Sequence, residues 1–294
     1  MKHINTNDFK STDSFSIHKT PTSIKVKLSK EEVHEELKEI REKLGKLQDK
    51  MYANNRYGVL ICLQGMDTSG KDSLIREVFS RFNARGVNVY SFKTPSTNEL
   101  KHDYLWRHYI ALPERGKFSV FNRSHYENVL VSRVHPEYLL NENLPEIESV
   151  EDVPKDFWKR RFDQINDFEK HIAQNGTIVL KFFLHLSKDE QRQRLLRRLE
   201  NPEHNWKFDA GDLNERDLWN DYQKYYEDAV QNTSKKHAPW YVIPADDKGV
   251  ARYLVARTIY DVLKEYDIKE PEVNEDVIKN INVYRKMLEE ESED

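Results

Sequence analysis

A glycine-rich segment at 65–71, reading GMDTSGK, follows a short apolar run and has the spacing G-x-x-x-x-G-K. Gly65 and Gly70 allow backbone N–H groups to turn inward around phosphate oxygens, and Lys71 adds a mobile ammonium group. The alternative is a tight turn with an exposed lysine, which accounts for one glycine but not for two glycines and the lysine. The segment therefore predicts a phosphate-binding loop, with Gly65, Ser69, Gly70 and Lys71 as binding residues.

The residue after the lysine departs from the usual pattern of such loops. Asp72 stands where a Mg²⁺-binding Ser or Thr is expected, and Ser73 comes one position late. Carboxylates near bound phosphates repel them unless a divalent cation lies between, and Asp67 offers the hard oxygen that Mg²⁺ prefers. The loop thus predicts Mg²⁺ dependence, with Asp67 as a ligand.

A second polar pair follows the apolar run at 118–121. Asn122 occupies the place of an acidic metal-binding residue, and Arg123 supplies a planar, bidentate donor for a phosphoryl group. The ends of neighbouring parallel strands meet at one edge of a sheet, so we expect this pair beside Lys71. Taken alone, the pair also fits a strand-end turn with a surface arginine.

An arginine-rich segment at 191–198 reads QRQRLLRR. Arg194 and Arg198 are four residues apart, which places both guanidinium groups on one face of a helix. We interpret this face as a lid that clamps a polyanionic phosphate. The alternative is a solvated helix face on which Glu190 and Glu200 balance the arginines.

Other candidates carry weaker signals. Residues 205–208, reading NWKF, are interpreted as a hinge that positions another cation, Lys207. Arg107 fits either a core salt bridge or a position facing the cleft. The histidines show no H-E-x-x-H spacing, no G-x-S-x-G occurs, and the lone Cys62 lies in an apolar run, so zinc and covalent Ser or Cys catalysis are disfavoured.

The elements that must position these residues alternate regularly. Apolar runs lie at 57–63, 87–92, 118–121, 177–186 and 240–243. Helical periodicity lies at 71–84, 98–111, 157–175, 188–200, 215–231 and 248–265. Short, continuously apolar runs are typical of parallel strands buried on both faces. The alternation predicts an α/β fold, a parallel sheet sandwiched by helices.

Composition narrows the function classes. The chain has 294 residues and a formal charge of −4, which excludes a globally basic nucleic-acid coat, and its 13 Phe, 15 Tyr and 5 Trp are ample for a core. The apolar runs are shorter than the ~20 residues of a membrane span, and the first residues lack the apolar region of a secretory signal. We expect a reduced, cytoplasmic protein that engages neither nucleic acid nor membrane.

Three parts are expected along the chain. Residues 1–54 form an arm, which either wraps or stays mobile, and a helix that begins after Ser29. Residues 55–268 form the phosphotransferase domain with its lid at about 188–214. Residues 269–294 form a last helix and an acidic tail.

At this point the sequence resembles the polyphosphate kinase 2 family. The resemblance rests on blocks that occur in family order, namely GMDTSGK at 65–71, SFKTPS at 91–96, HDYLWR at 102–107, FNRSHYENVLV at 121–131, WKF at 206–208 and IPADDK at 243–248. Asn122 and Glu127 are similar to the class III members. The resemblance implies a P-loop kinase-like fold and phosphorylation of both nucleoside mono- and diphosphates.

By position, the resemblance also implies roles for single residues. Asp67 matches a Mg²⁺ ligand, and Asn122 would sit by the metal. Lys71 and Arg123 match residues that hold the transferred phosphoryl group. The remaining matches are lid arginines and cleft residues, namely Arg194, Arg198, Lys93 and Arg107. A homo-oligomer, dimer or tetramer, is implied as well.

The predicted function is reversible, Mg²⁺-dependent transfer of the terminal phosphoryl group of inorganic polyphosphate to AMP and ADP. One alternative is an ATP-dependent nucleoside monophosphate kinase on the same fold. Another is a non-catalytic binder of nucleotides or polyphosphate, which would not need Asp67, Lys71 and Arg123 together. Glu127, with neutral Asn122, is expected to decide whether monophosphates are accepted; the alternative is that Glu127 only caps the following helix.

Overall fold

A five-stranded parallel sheet forms the centre of the computed structural model, which describes residues 4–203, 205 and 208–291. The strands are β1 (Gly58–Gln64), β2 (Val87–Ser91), β3 (Phe118–Asn122), β4 (Thr177–His185) and β5 (Trp240–Pro244). Their order is β2-β3-β1-β4-β5, and every neighbouring pair is parallel. The predicted α/β sheet is confirmed, and all five apolar runs are strands.

Helices cover both faces of the sheet. The α-helices of the described residues are α1 (Lys30–Asn54), α2 (Lys71–Val78), α3 (Trp106–Tyr109), α4 (Glu127–Val134), α5 (Phe157–Gln174), α6 (Lys188–Glu200), α7 (Gly211–Asp217), α8 (Trp219–Thr233), α9 (Lys248–Lys264) and α10 (Glu275–Glu290). One apolar core joins the sheet to α1, α2 and α9, and a second contains residues of α4, α5 and α8. Because β1 is buried along its whole length, its sequence shows no polar alternation.

The N-terminal arm wraps around the body. Thr6 bonds to Asp261 on α9, and the backbone N–H of Ile17 donates to Glu227 on α8 at 2.6 Å. The arm ends at Ser29, after which α1 begins as predicted; the Ser29 side chain and Glu32 also form a capping box there.

Three of the predicted helices differ from the structure. Over 98–111, the described chain is α-helical only in α3; the carboxylate of Asp103 binds the backbone N–H of Leu105 and so replaces a helical hydrogen bond with a local turn. The helix predicted over 71–84 ends at Val78. The pattern at 215–231 begins earlier and is divided at Leu218 into α7 and α8.

The last helix, α10, has no buried residue among those described, although it carries several apolar side chains. Ile278, Ile281 and Leu288 are more than half exposed. No helix in the described ranges is long and apolar enough to cross a membrane. The end of the predicted acidic tail, 292–294, lies outside the described residues.

Candidate active site

The loop between β1 and α2 curls around the ammonium group of Lys71. Its Nζ donates to the carbonyl of Gly65 at 2.7 Å and to that of Met66 at 3.3 Å. Gly65 has no room for a side chain, because a Cβ would lie 2.8 Å from Ser69 Oγ and 2.9 Å from the carbonyl of Leu184. Gly70 precedes α2 with a φ of 102°, which favours glycine. The glycines therefore let the loop close tightly over the start of the helix.

Burial changes the proton affinity of Lys71. Withdrawal from water, with the nearby Arg123 charge, lowers the pKa of Lys71 to about 8. The side chain is 9% exposed and reaches the cleft in front of the loop. An anion entering this cleft would favour the protonated lysine, so the arrangement suits phosphate binding.

Arg123 lies at the turn that follows β3 and faces the loop. Its Nη2 is 2.8 Å from Asp67 Oδ1, and its Nη1 is 3.6 Å from Glu127 Oε2. Glu127 raises the pKa of Arg123 above its ordinary value. Burial raises the pKa of Glu127, although Arg123 and Lys71 oppose the shift. Sequence reasoning expected Lys71, Asp67 and Arg123 at one sheet edge, and the structure brings them together.

Asn122 faces a different carboxylate of the same region. Its Nδ2 donates to Asp72 Oδ1 at 2.6 Å, which ties the end of β3 to the first turn of α2. The amide oxygen of Asn122 keeps its acceptor capacity. Asp72, which replaces the usual hydroxyl residue, is thus the direct partner of Asn122 in this arrangement.

These oxygen donors suit a hard divalent cation that also binds phosphate. Asp67 and Asp72 supply carboxylates and Asn122 an amide oxygen at the mouth of the cleft. The described residues contain no cluster of three or more His, Cys, Asp or Glu that makes a closed metal cage. Mg²⁺ usually takes one or two carboxylates and completes its shell with water and substrate phosphates, so an open donor set of this kind fits it.

Arg194 uses all of its hydrogen-bond donors inside the protein. Nη1 donates to the carbonyls of Thr68 and Ser69 at 2.9 and 3.1 Å, and Nη2 donates to those of Ala245 and Asp246 at 2.7 and 3.0 Å. Nε donates to Glu190 at 2.8 Å. Because guanidinium has five N–H donors, this arginine is fully engaged and joins α6 to the phosphate-binding loop.

The other cations at this end of the cleft differ from Arg194. Arg197 and Arg198 line the cleft with Lys248, the first residue of α9. Arg197 pairs with Glu190 at 2.7 Å, and Arg198 Nη1 lies 3.2 Å from Asp212. The alternative interpretation, a helix face on which acidic residues balance the arginines, therefore describes some contacts of α6. The C-terminal half of α6 nevertheless faces the cleft.

The cleft itself measures about 1160 Å³. Seven basic side chains line it against four acidic ones within the described residues. The basic set is Lys71, Lys93, Arg123, Arg194, Arg197, Arg198 and Lys248, and the acidic set is Asp67, Asp72, Glu200 and Asp212. The excess of positive charge suits a ligand with several negative charges.

Of the other predicted site residues, Lys93 and Arg107 occupy different positions, and Lys207 lies outside the described residues. Lys93 lines the cleft after β2. Arg107 is buried and donates to the backbone carbonyl of Lys93 at 2.8 Å. Its Nη1 also lies 4.0 Å from Glu99 Oε2, so its contacts fit the interpretation as a core salt bridge.

Sequence reasoning missed three cleft residues. Lys248 and Asp212 were not singled out, although Lys248 closes the IPADDK block at 243–248. Arg197 belongs to the arginine run but does not share the spacing of Arg194 and Arg198. The signal for Lys248 was its position after β5, whose end meets the same edge of the sheet.

Comparison with known proteins gives a consistent set of similarities. The sequence model of the family "Polyphosphate kinase 2 (PPK2)" matches residues 27–271. An ADP-polyphosphate phosphotransferase from Rhodopseudomonas palustris is 49% identical over 244 residues, 83% of each chain. An AMP/ADP-polyphosphate phosphotransferase from Meiothermus ruber is 46% identical over 238 residues, 81% of this chain and 84% of the other.

A solved structure has the same fold. The crystal structure of polyphosphate kinase 2 from Arthrobacter aurescens TC1 superposes with a TM-score of 0.87 at 32% sequence identity, covering 95% of each chain. The similarity therefore extends beyond the phosphate-binding loop to nearly the whole fold.

Proposed function

The chain belongs to the polyphosphate kinase 2 family, and we propose that it transfers the terminal phosphoryl group of inorganic polyphosphate to AMP and ADP, reversibly and with Mg²⁺. The observation that carries the proposal is the convergence of Lys71, Arg123 and Asp67 in a cleft with an excess of basic side chains. A polymer of phosphates and a nucleotide phosphate both need such positive charge. The relatives described above are named for this reaction.

In the proposed mechanism, the protein aligns and neutralises the reacting phosphates. Lys71 and Arg123 hold the transferred phosphoryl group between donor and acceptor oxygens, and Arg197 and Arg198 bind the polymer behind it. Mg²⁺, when bound, supplies charge neutralisation at the phosphates, with Asp67 and Asn122 as the residues that would hold it. The bonds broken and formed are both phosphoanhydrides, so concentrations set the direction.

The acceptor range is the finer part of the proposal. One relative named above is an ADP enzyme and the other an AMP/ADP enzyme, at similar identity, so identity alone does not separate these activities. Phosphorylation of AMP requires its phosphate to lie one position closer to the donor. Glu127, whose carboxylate lies beside Arg123, is proposed to support that position through a cation or water, with neutral Asn122 avoiding another fixed charge.

The direct test uses purified protein, Mg²⁺, long-chain polyphosphate and either AMP or ADP, with ADP and ATP followed by chromatography. We expect AMP to yield ADP and then ATP, with no product when polyphosphate is omitted. Replacing polyphosphate by ATP tests the nucleoside monophosphate kinase alternative. Substrate binding without turnover would instead support the non-catalytic binder. Lys279→Ala, on the exposed helix α10, is the control variant, and its phosphotransfer rate should equal that of the parent.

Three further predictions accompany this function. A dimer or tetramer is proposed, and light scattering of the full chain tests it. The cytoplasmic location stays a prediction, made from the lone cysteine. The division at 54 and 268, with a lid at 188–214, also stays a prediction, which limited proteolysis would test.

A further inference from the structure

The turn that carries Arg123 has an unfavourable backbone conformation. Arg123 has a φ of 62°, in the left-handed region that non-glycine residues seldom adopt. Such a conformation persists only when neighbouring groups hold it. The backbone N–H of Arg123 donates to the carbonyl of Leu63 at 3.0 Å, and Gln64 donates to Ser124 Oγ at 3.1 Å. These bonds fix the side of the turn that faces β1.

The opposite side of the turn enters a buried polar cluster, formed by His125, Tyr126, Glu169 and Lys181. All four side chains are 0% exposed. Lys181 Nζ donates to Glu169 at 2.6 Å, to the hydroxyl of Tyr126 at 2.8 Å and to the carbonyl of Thr233 at 2.8 Å. All three ammonium donors are therefore satisfied.

Glu169 connects this cation back to the turn. Its Oε1 accepts from Tyr126 Oη at 2.9 Å and lies 3.1 Å from His125 Nε2. Burial alone would raise the pKa of Glu169, but Lys181 and His125 bring it below its ordinary value. His125 and Tyr126 follow Arg123 by two and three residues. The Lys181–Glu169 ion pair therefore contacts the segment directly after Arg123 through both of these side chains.

Burial of the Lys181–Glu169 ion pair has a desolvation cost, which stability alone does not explain. An apolar pair of similar volume often gives equal or greater stability than a buried ion pair, because desolvation offsets the attraction. The cluster does not line the cleft, and its lysine has no exposed surface, so direct contact with substrate does not account for it. What its geometry specifies is the position of Tyr126 and His125.

We propose that Lys181, Glu169 and Tyr126 are positioning residues that hold the strained turn of Arg123 and so aim its guanidinium at the transferred phosphoryl group. The hydroxyl of Tyr126 connects the ion pair to the turn, since it donates to Glu169 and accepts from Lys181. The catalytic part of this inference rests on the proposed function. The structural part, a rigid turn maintained by the cluster, does not.

The test is Tyr126→Phe, which removes the hydroxyl and retains the ring. We expect faster amide hydrogen exchange confined to 122–127, at unchanged exchange in α9. At saturating polyphosphate, kcat for ADP should fall by about tenfold while KM for ADP stays within about twofold. Tyr253→Phe, a buried tyrosine on α9, is the matched control and should change neither exchange at 122–127 nor kcat.

A double-mutant cycle separates positioning from general stability. If Tyr126 acts through Arg123, then Tyr126→Phe should cause no further loss of kcat in an Arg123→Gln background. The inference would be overturned if the kcat of the double variant fell by the product of the two single losses. Unchanged amide exchange at 122–127 in Tyr126→Phe would overturn it as well. If the parent lacks phosphotransfer activity, the proposed function fails, and the exchange measurement still decides whether the cluster holds the turn.

Discussion

The guanidinium of Arg123 lies 2.8 Å from the carboxylate of Asp67, so the end of β3 is ionically joined to the phosphate-binding loop. The two residues are proposed to serve different partners, the phosphoryl group and Mg²⁺. Their contact balances the two charges and places the two proposed binding functions side by side.

Asp67→Asn should raise the Mg²⁺ concentration needed for half-maximal rate by roughly tenfold, since the amide keeps the shape but loses the charge that recruits the cation. KM for ADP should change much less. Titration of Mg²⁺ at saturating substrates measures this. Asp163→Asn, at an exposed pair with Lys159, is the control; an unchanged titration for Asp67→Asn would assign Asp67 a structural role.

The pH dependence should follow Lys71. Its pKa of about 8 in the free protein means that the charged form is lost as pH rises through about 8, so kcat/KM for polyphosphate should fall there. Lys71→Arg keeps its charge throughout this range, because guanidinium stays protonated. Its profile should therefore lack the fall, whatever its absolute rate. The same fall in both proteins would assign the titration to another group.

Substitutions of the arginines of α6 should differ in their effects. Arg198→Gln should weaken polyphosphate use more than ADP binding, and should reduce the slope of log affinity against log salt by about 1, as expected for one lost phosphate contact. Measurements between low and moderate salt give the slope. Arg192→Gln, at an exposed pair with Asp189 on the same helix, is the control. Equal losses for both substrates would make α6 a nucleotide lid.

Arg194→Gln is expected to act on the loop instead. It leaves buried carbonyls of Ser69 and Ala245 without donors, which costs ~1–3 kcal/mol of unfolding free energy. Polyphosphate and ADP use should both decline, because the loop serves both. Denaturant unfolding beside kinetics checks this, and selective loss of polyphosphate affinity at unchanged stability would return Arg194 to the role of a polymer clamp.

Glu127→Ala should lower AMP phosphorylation by at least about tenfold, equivalent to ~1.4 kcal/mol of barrier, and spare ADP phosphorylation more. The helix that begins at Glu127 has Tyr126 as its N-cap residue, without a side-chain cap bond, and the Glu127 carboxylate lies near Arg123. Rates with the two acceptors, measured side by side, decide the matter. Equal losses would remove the selectivity role.

Much of the fold follows from local patterns. Strands β1, β3, β4 and β5 were predictable because parallel strands buried on both faces are continuously apolar, and α1 because Ser29 and Glu32 form its cap. The edge strand β2 is half exposed and carries Asn88 within its apolar run. The helix expected over 98–111 is interrupted at His102, whose backbone is extended, and the Asp103 carboxylate then accepts the backbone N–H of Leu105; periodicity records neither feature.

The site was predictable where it depends on strand ends, and unpredictable where it depends on tertiary approach. Lys71 and Arg123 meet because β1 and β3 are neighbours. The two bonds of Arg194 to the carbonyls of 245–246 depend on how closely that segment approaches the loop, and the burial of Lys181 in β4 depends on Glu169 from α5. Neither contact has a sequence spacing that would announce it.

The central claim is that phosphoryl transfer from polyphosphate occurs at the loop around Lys71. The initial rate of ATP formation from ADP and polyphosphate, compared between the parent and Lys71→Ala, tests it most directly, with circular dichroism showing that the fold is retained. Removal of one charge-stabilising group should lower the turnover by ~10²–10³. A correctly folded Lys71→Ala protein within a few-fold of the parent rate would contradict the account.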